Sequence, residues 1–231
     1  MYAHRGGSGL APENTMFAFE NGLALGADGL ELDVHLSRDG VVVVHHDRTL
    51  ERTTTLQGPI AARNADELTR AGIPLLATLL ARFRDVRMII ELKQNRPGLA
   101  AAAIDVIRRA DAVDRVCLGS FGLRVLRAAR GIEPAIATSA AREEVRWALY
   151  RSWCRWPVSR VSYDGYQVPE YAGRTQVVSR RFVADAHCAD LAVQVWTVDT
   201  EADAVRLIDW GVDALITDRP DIIVPVCNRQ R

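Results

Sequence analysis

Short apolar runs alternate along the chain with stretches in which apolar residues recur every three to four positions. The short runs predict strands at Met1–His4, Gly29–His35, Val41–His45, Arg87–Leu92, Arg115–Leu118, Ala135–Thr138, Val158–Ser162, Val193–Val198 and Ala214–Ile216. The periodic stretches predict helices near 15–25, 75–84, 98–111, 121–130, 141–151, 180–190 and 201–210. Asn14, Ser120 and Thr200 stand where N-caps are expected, and Gly26, Gly131 and Gly211 where helices end. Strands joined by helices imply right-handed crossovers and a parallel sheet. Arg38-Asp39-Gly40 reads as a tight turn that folds Val41–His45 back antiparallel on the second strand. The other strands make eight β/α units in 231 residues, a slightly small (β/α)8 barrel, for which ~250 residues is typical. A doubly wound open sheet fits less well, because no GxGxxG or P-loop sequence follows any strand.

One catalytic domain over 1–231 is expected, since no linker or low-complexity tract divides the chain. Residues 47–72 interrupt the rhythm. They are polar, rich in Thr and Arg, and contain Gly58-Pro59, so they read as an insertion over one rim of the barrel. The middle of the chain, near 140–175, is the least regular part, and Tyr163, Gln167 and Tyr171 there shape either a pocket or a rim loop.

Composition narrows the partners. Formal net charge is zero, which argues against nucleic acid or an acidic membrane as general partner and leaves a small anion open. No stretch reaches the ~18 apolar residues of a membrane span, and no amphipathic anchor is evident. No apolar run follows a basic start, so no signal peptide is expected, and the four cysteines are scattered without zinc or CxxC spacing. Together these features place the expected compartment as the cytoplasm. Oligomeric state is not legible. Lys+Arg totals 29, yet Lys93 is the only lysine. Arginine codon bias explains the missing lysines; a need for a compact ammonium explains the one retained beside Glu91.

The candidate chemistry gathers at strand ends. His4-Arg5-Gly6-Gly7 closes the first strand, where glycine lets backbone approach a ligand and arginine suits a phosphate oxygen. By itself it reads equally well as a strand end with an exposed charge. In Glu31-Leu32-Asp33-Val34-His35 the two acids and His35 share one strand face. Two carboxylates facing a barrel interior are costly without a cation, and hard oxygen ligands suit Mg2+ or Ca2+. Glu91 and Lys93 end a strongly apolar strand; Glu91 completes a three-carboxylate set and Lys93 offers a cation to a phosphate, or the two form an ordinary ion pair. His46-Asp47 follows the hairpin. With His4 it supplies two imidazoles, one to deprotonate an attacking hydroxyl and one to protonate a leaving alkoxide. His45 points the other way and reads as structural.

In order along the chain, Ala3-His4-Arg5-Gly6, Ala11-Pro12-Glu13-Asn14-Thr15, Glu31-Leu32-Asp33-Val34, Ser37-Arg38-Asp39-Gly40 and His46-Asp47 closely resemble the glycerophosphodiester phosphodiesterase family. The match continues through Leu50-Glu51-Arg52-Thr53-Thr54, Gly72-Ile73-Pro74-Leu75, Glu91-Leu92-Lys93, Val195-Trp196-Thr197-Val198-Asp199 and Gly211 to Pro220. The resemblance implies a TIM barrel with a small insertion. It implies His4 and His46 as acid and base, Glu31, Asp33 and Glu91 as metal ligands, and Arg5 and Lys93 on the phosphate. Trp196 would line the pocket, and Glu13 would support the His4-Arg5 turn or bind substrate. The implied reaction is hydrolysis of a glycerophosphodiester to glycerol 3-phosphate and an alcohol, by water or through a cyclic phosphate formed by the substrate's own hydroxyl. Phospholipase D-like action on lysophospholipids, or phosphate binding without turnover, are the alternatives. Asp199 departs from the family, which often carries Asn there.

Overall fold

The computed structural model describes residues 1–156 and 161–230. Its strands are β1 (Tyr2–His4), β2 (Gly29–Leu36), β3 (Val42–Val44), β4 (Arg87–Leu92), β5 (Val116–Gly119), β6 (Ala137–Thr138), β7 (Gly165–Pro169), β8 (Tyr171–Ala172), β9 (Thr175–Gln176), β10 (Ala192–Trp196) and β11 (Ala214–Thr217). The helices are α1 (Met16–Ala24), α2 (Ala65–Arg70), α3 (Leu76–Arg82), α4 (Pro97–Arg109), α5 (Leu123–Ile132), α6 (Arg142–Cys154), α7 (Arg180–His187), α8 (Glu201–Asp209) and α9 (Pro220–Arg229).

Eight parallel strands run in the order β6-β5-β4-β2-β1-β11-β10-β7. A parallel bridge between Ser139 and Gly165 links the two ends, so the sheet is a nearly closed TIM barrel. Alternation along each strand explains the layers. Leu30, Leu32 and Val34 of β2 join a core with Phe19 of α1, Leu79 of α3 and Ile104 of α4. The intervening Glu31 and Asp33 face the barrel interior, as do Ile89 and Glu91 of β4. β3 pairs antiparallel with β2, Val34 opposite Val44, and brings the chain back to the rim at His46. The insertion after β3 has a small core of its own, in which Val43, Leu50, Ile60, Leu68 and Ile73 pack together.

Several local expectations shift. Thr15, not Asn14, caps α1, its hydroxyl accepting from the Ala18 N–H. Ser120 does not cap α5, which starts at Leu123; the Asn95 side chain reaches across and accepts from the Val125 N–H at 3.0 Å. Gly131 lies inside the last turn of α5 rather than beyond it. The strand expected at Val158–Ser162 falls on 158–160, outside the described residues, and on Val161 and Ser162, which are not in a strand. The barrel position belongs to β7, whose outward Tyr166 and Val168 are buried and whose other residues are Gly, Gln and Pro. That composition hides a strand from any search for apolar runs. Among the described residues, no helix is long and apolar enough to cross a membrane.

Candidate active site

All nine candidate residues lie at the rim formed by the C-terminal ends of the barrel strands. Eight of them contact one another or line a single cleft of about 690 Å3: His4, Arg5, Glu31, Asp33, His46, Glu91, Lys93 and Trp196. Glu13 stands behind Arg5, which donates to it at 3.2 Å.

The turn after β1 is shaped by backbone demands. Arg5 adopts φ 51°, a left-handed conformation that costs such a residue ~1–2 kcal/mol, and Asn14, a residue type that enters this region more readily, φ 56°. That geometry points the Arg5 N–H at Glu31 Oε2, 3.1 Å away. The Asn14 N–H bonds the Arg5 carbonyl at 2.9 Å, and its side-chain amide donates to Asp33 Oδ2 at 2.9 Å. Gly6 follows at φ 88°, and a Cβ there would lie 2.6 Å from the Ala18 backbone. Glycine therefore lets α1 seat directly against the turn.

Each rim histidine has its own carboxylate. His4 Nδ1 lies 2.7 Å from Asp218 Oδ1, and His46 Nδ1 lies 2.6 Å from Asp47 Oδ1. With the ring N–H donated to the acid, both imidazoles keep Nε2 for other work. Burial pulls the His4 pKa down, but the hydrogen bond to Asp218 and the charges of Glu31 and Asp218 outweigh it and leave the value raised. Asp218 also accepts from the Ser8 hydroxyl, and its own N–H donates to Asp199 Oδ1 at 2.8 Å. The acidic Asp199 thus serves as a backbone acceptor. On the other side Asp47 accepts from Arg52, which donates to both oxygens of Glu13. A chain of hydrogen bonds and ion pairs therefore runs from His46 through Asp47, Arg52 and Glu13 to Arg5.

His35 and His45 are structural. His35 Nε2 bonds the His46 carbonyl at 3.0 Å, and burial depresses its pKa to about 4. His45 Nε2 bonds the Thr49 carbonyl.

The three carboxylates occupy neighbouring strands, with Asp33 directly opposite Glu91. Burial and then the Asp33 charge raise the Glu31 pKa to about 7; burial raises that of Glu91 to about 8 against the pull of Lys93. Asp33 behaves oppositely. Despite burial its pKa falls, because Lys93, Arg5 and His46 surround it and Asn14 donates to it. Lys93 Nζ is 3.2 Å from Asp33 Oδ1 and Arg5 Nε is 3.3 Å from Oδ2. The direct partner of the lone lysine is thus Asp33, across the strand pair, rather than Glu91 on its own strand. Among the described residues, no three acid, histidine or cysteine side chains are gathered in a ready-made metal cluster, and Asp33 faces Lys93 and Arg5.

Below the acids, Gln167 donates to Gln194 at 3.0 Å. A Cβ on Gly119 would lie 2.6 Å from Glu91 Oε2 and 2.5 Å from Gln167 Oε1, so the absence of a side chain there makes room for both. Gln167 lines the cleft, whereas Tyr163 is buried against Tyr166 and Tyr171 is exposed on the β8–β9 hairpin. Trp196 meets Phe121 edge-on at 6.0 Å, and Arg142 lies over the Phe121 ring.

Comparison with known proteins gives the family. The glycerophosphoryl diester phosphodiesterase family profile matches residues 4–222. The chain belongs to that family. It is 32% identical over 247 residues to a glycerophosphodiester phosphodiesterase of Bacillus altitudinis, covering 98% of this chain and 97% of the relative. A glycerophosphodiester phosphodiesterase of Caldanaerobacter subterraneus is 31% identical over 246 residues, with 98% and 97% covered. Among solved structures, an Oleispira antarctica phosphodiesterase in complex with the product sn-glycerol-3-phosphate superposes with a TM-score of 0.81 at 27% identity, covering 98% of this chain and 96% of that one. The chain is accordingly a phosphoric diester hydrolase.

Asp218, Ser8, Asn14 and Arg52 were not among the candidate residues. Asp218 had a signal, since it directly follows the last barrel strand at the rim where this fold gathers its chemistry. Asp218→Asn should lower kcat/KM by ~10–100-fold, the usual cost of losing a partner that orients a functional imidazole. It should also move the His4 limb of the pH profile to lower pH, because the carboxylate that raises the His4 pKa is gone. An unshifted profile would leave Asp218 a purely structural residue. Lys93→Arg tests the lone lysine. A planar guanidinium needs more room than an ammonium 3.2 Å from Asp33, and the packed surroundings yield little. Melting behaviour should hold while kcat/KM falls at least ~10-fold, or ~1.4 kcal/mol of transition-state stabilisation. Turnover within a factor of about two of the parent would return Lys93 to codon bias.

Proposed function

We propose that this enzyme hydrolyses glycerophosphodiesters to glycerol 3-phosphate and an alcohol, with His4 and His46 as its acid–base pair. The observation that carries this reading is the pair of rim imidazoles, each bound at Nδ1 by its own carboxylate, Asp218 or Asp47. Both rings line one cleft with Arg5 and Lys93. One imidazole takes the proton of the attacking hydroxyl and the other returns one to the leaving alkoxide. Arg5 and Lys93 bind the phosphate oxygens.

The donor set also fits a divalent cation, Mg2+ or Ca2+, held by Glu31, Asp33 and Glu91. Two buried glutamates whose pKa values sit near 7 and 8 carry a burial cost that a hard cation relieves. Asp33, which faces Lys93 and Arg5, would be the third of these ligands. When bound, such a cation polarises a phosphoryl oxygen and neutralises developing charge. The lack of a disulfide-type cysteine pattern supports a cytoplasmic setting.

A second reading, lysophospholipase D-like action, gains an observation that the sequence did not offer. The cleft continues from the charged rim along an apolar wall of Val145, Leu149, Tyr150 and Trp153 on α6, with Val177 and Val168 nearby. A substrate screen decides between the readings. Glycerophosphocholine and glycerophosphoethanolamine should be turned over with release of glycerol 3-phosphate. Preference for monoacyl glycerophosphodiesters, with release of lysophosphatidic acid, would favour the second reading. Binding of both classes without turnover would leave a phosphate-binding barrel.

A further inference from the structure

Helix α6 carries a row of aromatic side chains turned to solvent. Trp147, Tyr150 and Trp153 are 63%, 51% and 55% exposed. They stand edge to face, Trp147 to Tyr150 at 6.5 Å and Tyr150 to Trp153 at 5.7 Å between ring centres. Trp156, just past the helix, is equally open. Elsewhere among the described residues the exposed large apolar side chains are scattered, such as Phe17 on α1, Phe121 before α5, Ile132 in α5, Tyr171 on β8 and Val205 on α8. Such a face is costly in water, because about half of the ~150–250 Å2 that each large aromatic side chain can bury stays uncovered.

The chemistry of the row points to one partner. Trp and Tyr prefer the headgroup level of a bilayer, where the ring is buried and its N–H or O–H stays hydrated. Charge agrees. Arg142, Arg146 and Arg155 are exposed along the helix. Of its two acids, Glu144 is held by both terminal nitrogens of Arg130, which leaves Glu143 as the exposed acid. The segment Arg142–Arg155 contains four arginines and two glutamates, in a chain of zero net charge. Such a basic, aromatic face complements anionic phospholipids. The row is also continuous with the cleft, since Tyr150 and Trp153 belong to both.

We propose that α6 docks on the surface of an anionic phospholipid bilayer, seating its aromatic row among the headgroups and turning the mouth of the cleft toward the lipid. Binding to a surface is independent of which diester the enzyme cleaves, so this inference stands apart from the proposed reaction.

Vesicle flotation tests it. The intact chain should float with vesicles of phosphatidylcholine mixed with phosphatidylglycerol, more weakly with phosphatidylcholine alone, and less at high salt. Brominated lipid should quench its tryptophan fluorescence. Trp147→Ser/Tyr150→Ser/Trp153→Ser should lose at least ~10-fold in partitioning while keeping the parent's melting curve. Trp147→Ser alone should weaken partitioning yet leave turnover of glycerophosphocholine unchanged, because Trp147 lies outside the cleft. The proposal is overturned if the parent stays with the soluble fraction. It is equally overturned if the folded triple variant floats like the parent, or if light scattering shows a dimer that the triple variant converts to monomer.

Discussion

His46→Ala should lower kcat by ~10²–10⁴, the range for loss of a positioned general acid or base. The fold has little reason to change. His35 bonds the His46 backbone carbonyl, which alanine retains. Asp47 keeps Arg52 at 2.6 Å, so its charge is not orphaned. Arg52 in turn keeps Glu13. The variant therefore isolates one imidazole from its supports. Steady-state kinetics with calorimetric titration of Mg2+ or Ca2+ should show a collapsed kcat beside a nearly parental cation affinity. A kcat within a factor of about two of the parent would remove His46 from the chemistry.

Asp33→Ala should fail differently. Asp33 accepts from Asn14 and faces both Lys93 and Arg5. Its loss takes away a proposed cation ligand and leaves two half-buried cations without their shared acid. Cation affinity should drop by at least the ~10–100-fold that follows loss of an outer-shell partner, and excess cation should partly restore turnover. Stability should fall by ~1–3 kcal/mol, since the stranded groups lose charge-assisted bonds. The loss is moderated because Asp33 is also one of the charges that raise the Glu31 pKa, and without it Glu31 ionises more readily beside Arg5. Unchanged cation affinity in a folded Asp33→Ala variant would exclude Asp33 as a ligand. Equal affinities in the His46 and Asp33 variants would contradict the division of roles.

Much of this site was legible in the chain because strand alternation is a strict geometric rule. Glu31 and Asp33 two residues apart had to share a face, and the Arg38-Asp39-Gly40 turn had to return the chain so that His46 met the same rim. Apolar strands covered by helices left the interior as the place for those acids. The ordered motifs then supplied the family. What escaped was set by tertiary distance. The Asn95 cap of α5, the Asp218 partner of His4 and the Arg52–Glu13 pair join residues 30, 214 and 39 positions apart; position at the rim marks Asp218, but no local pattern announces which residues pair. Strand β7 escaped for a different reason: its inward residues are Gly165, Gln167 and Pro169, chosen by the barrel interior and the cleft rather than by strand propensity. The aromatic row of α6 was hidden by exposure. Trp147, Tyr150 and Trp153 are apolar letters that a periodic reading assigns to the core, and the fold turns them outward.

The central claim is that the two imidazoles and three carboxylates of this cleft form one cation-dependent phosphodiesterase site. Glycerol 3-phosphate release from glycerophosphocholine by the metal-stripped parent, followed as Mg2+ or Ca2+ is added and then chelated, tests it most directly. Release should be near background without cation, rise with its concentration to saturation, and fall again with chelator. Equal release at every cation level would contradict the role given to Glu31, Asp33 and Glu91, and cation binding without any release would contradict the hydrolysis itself.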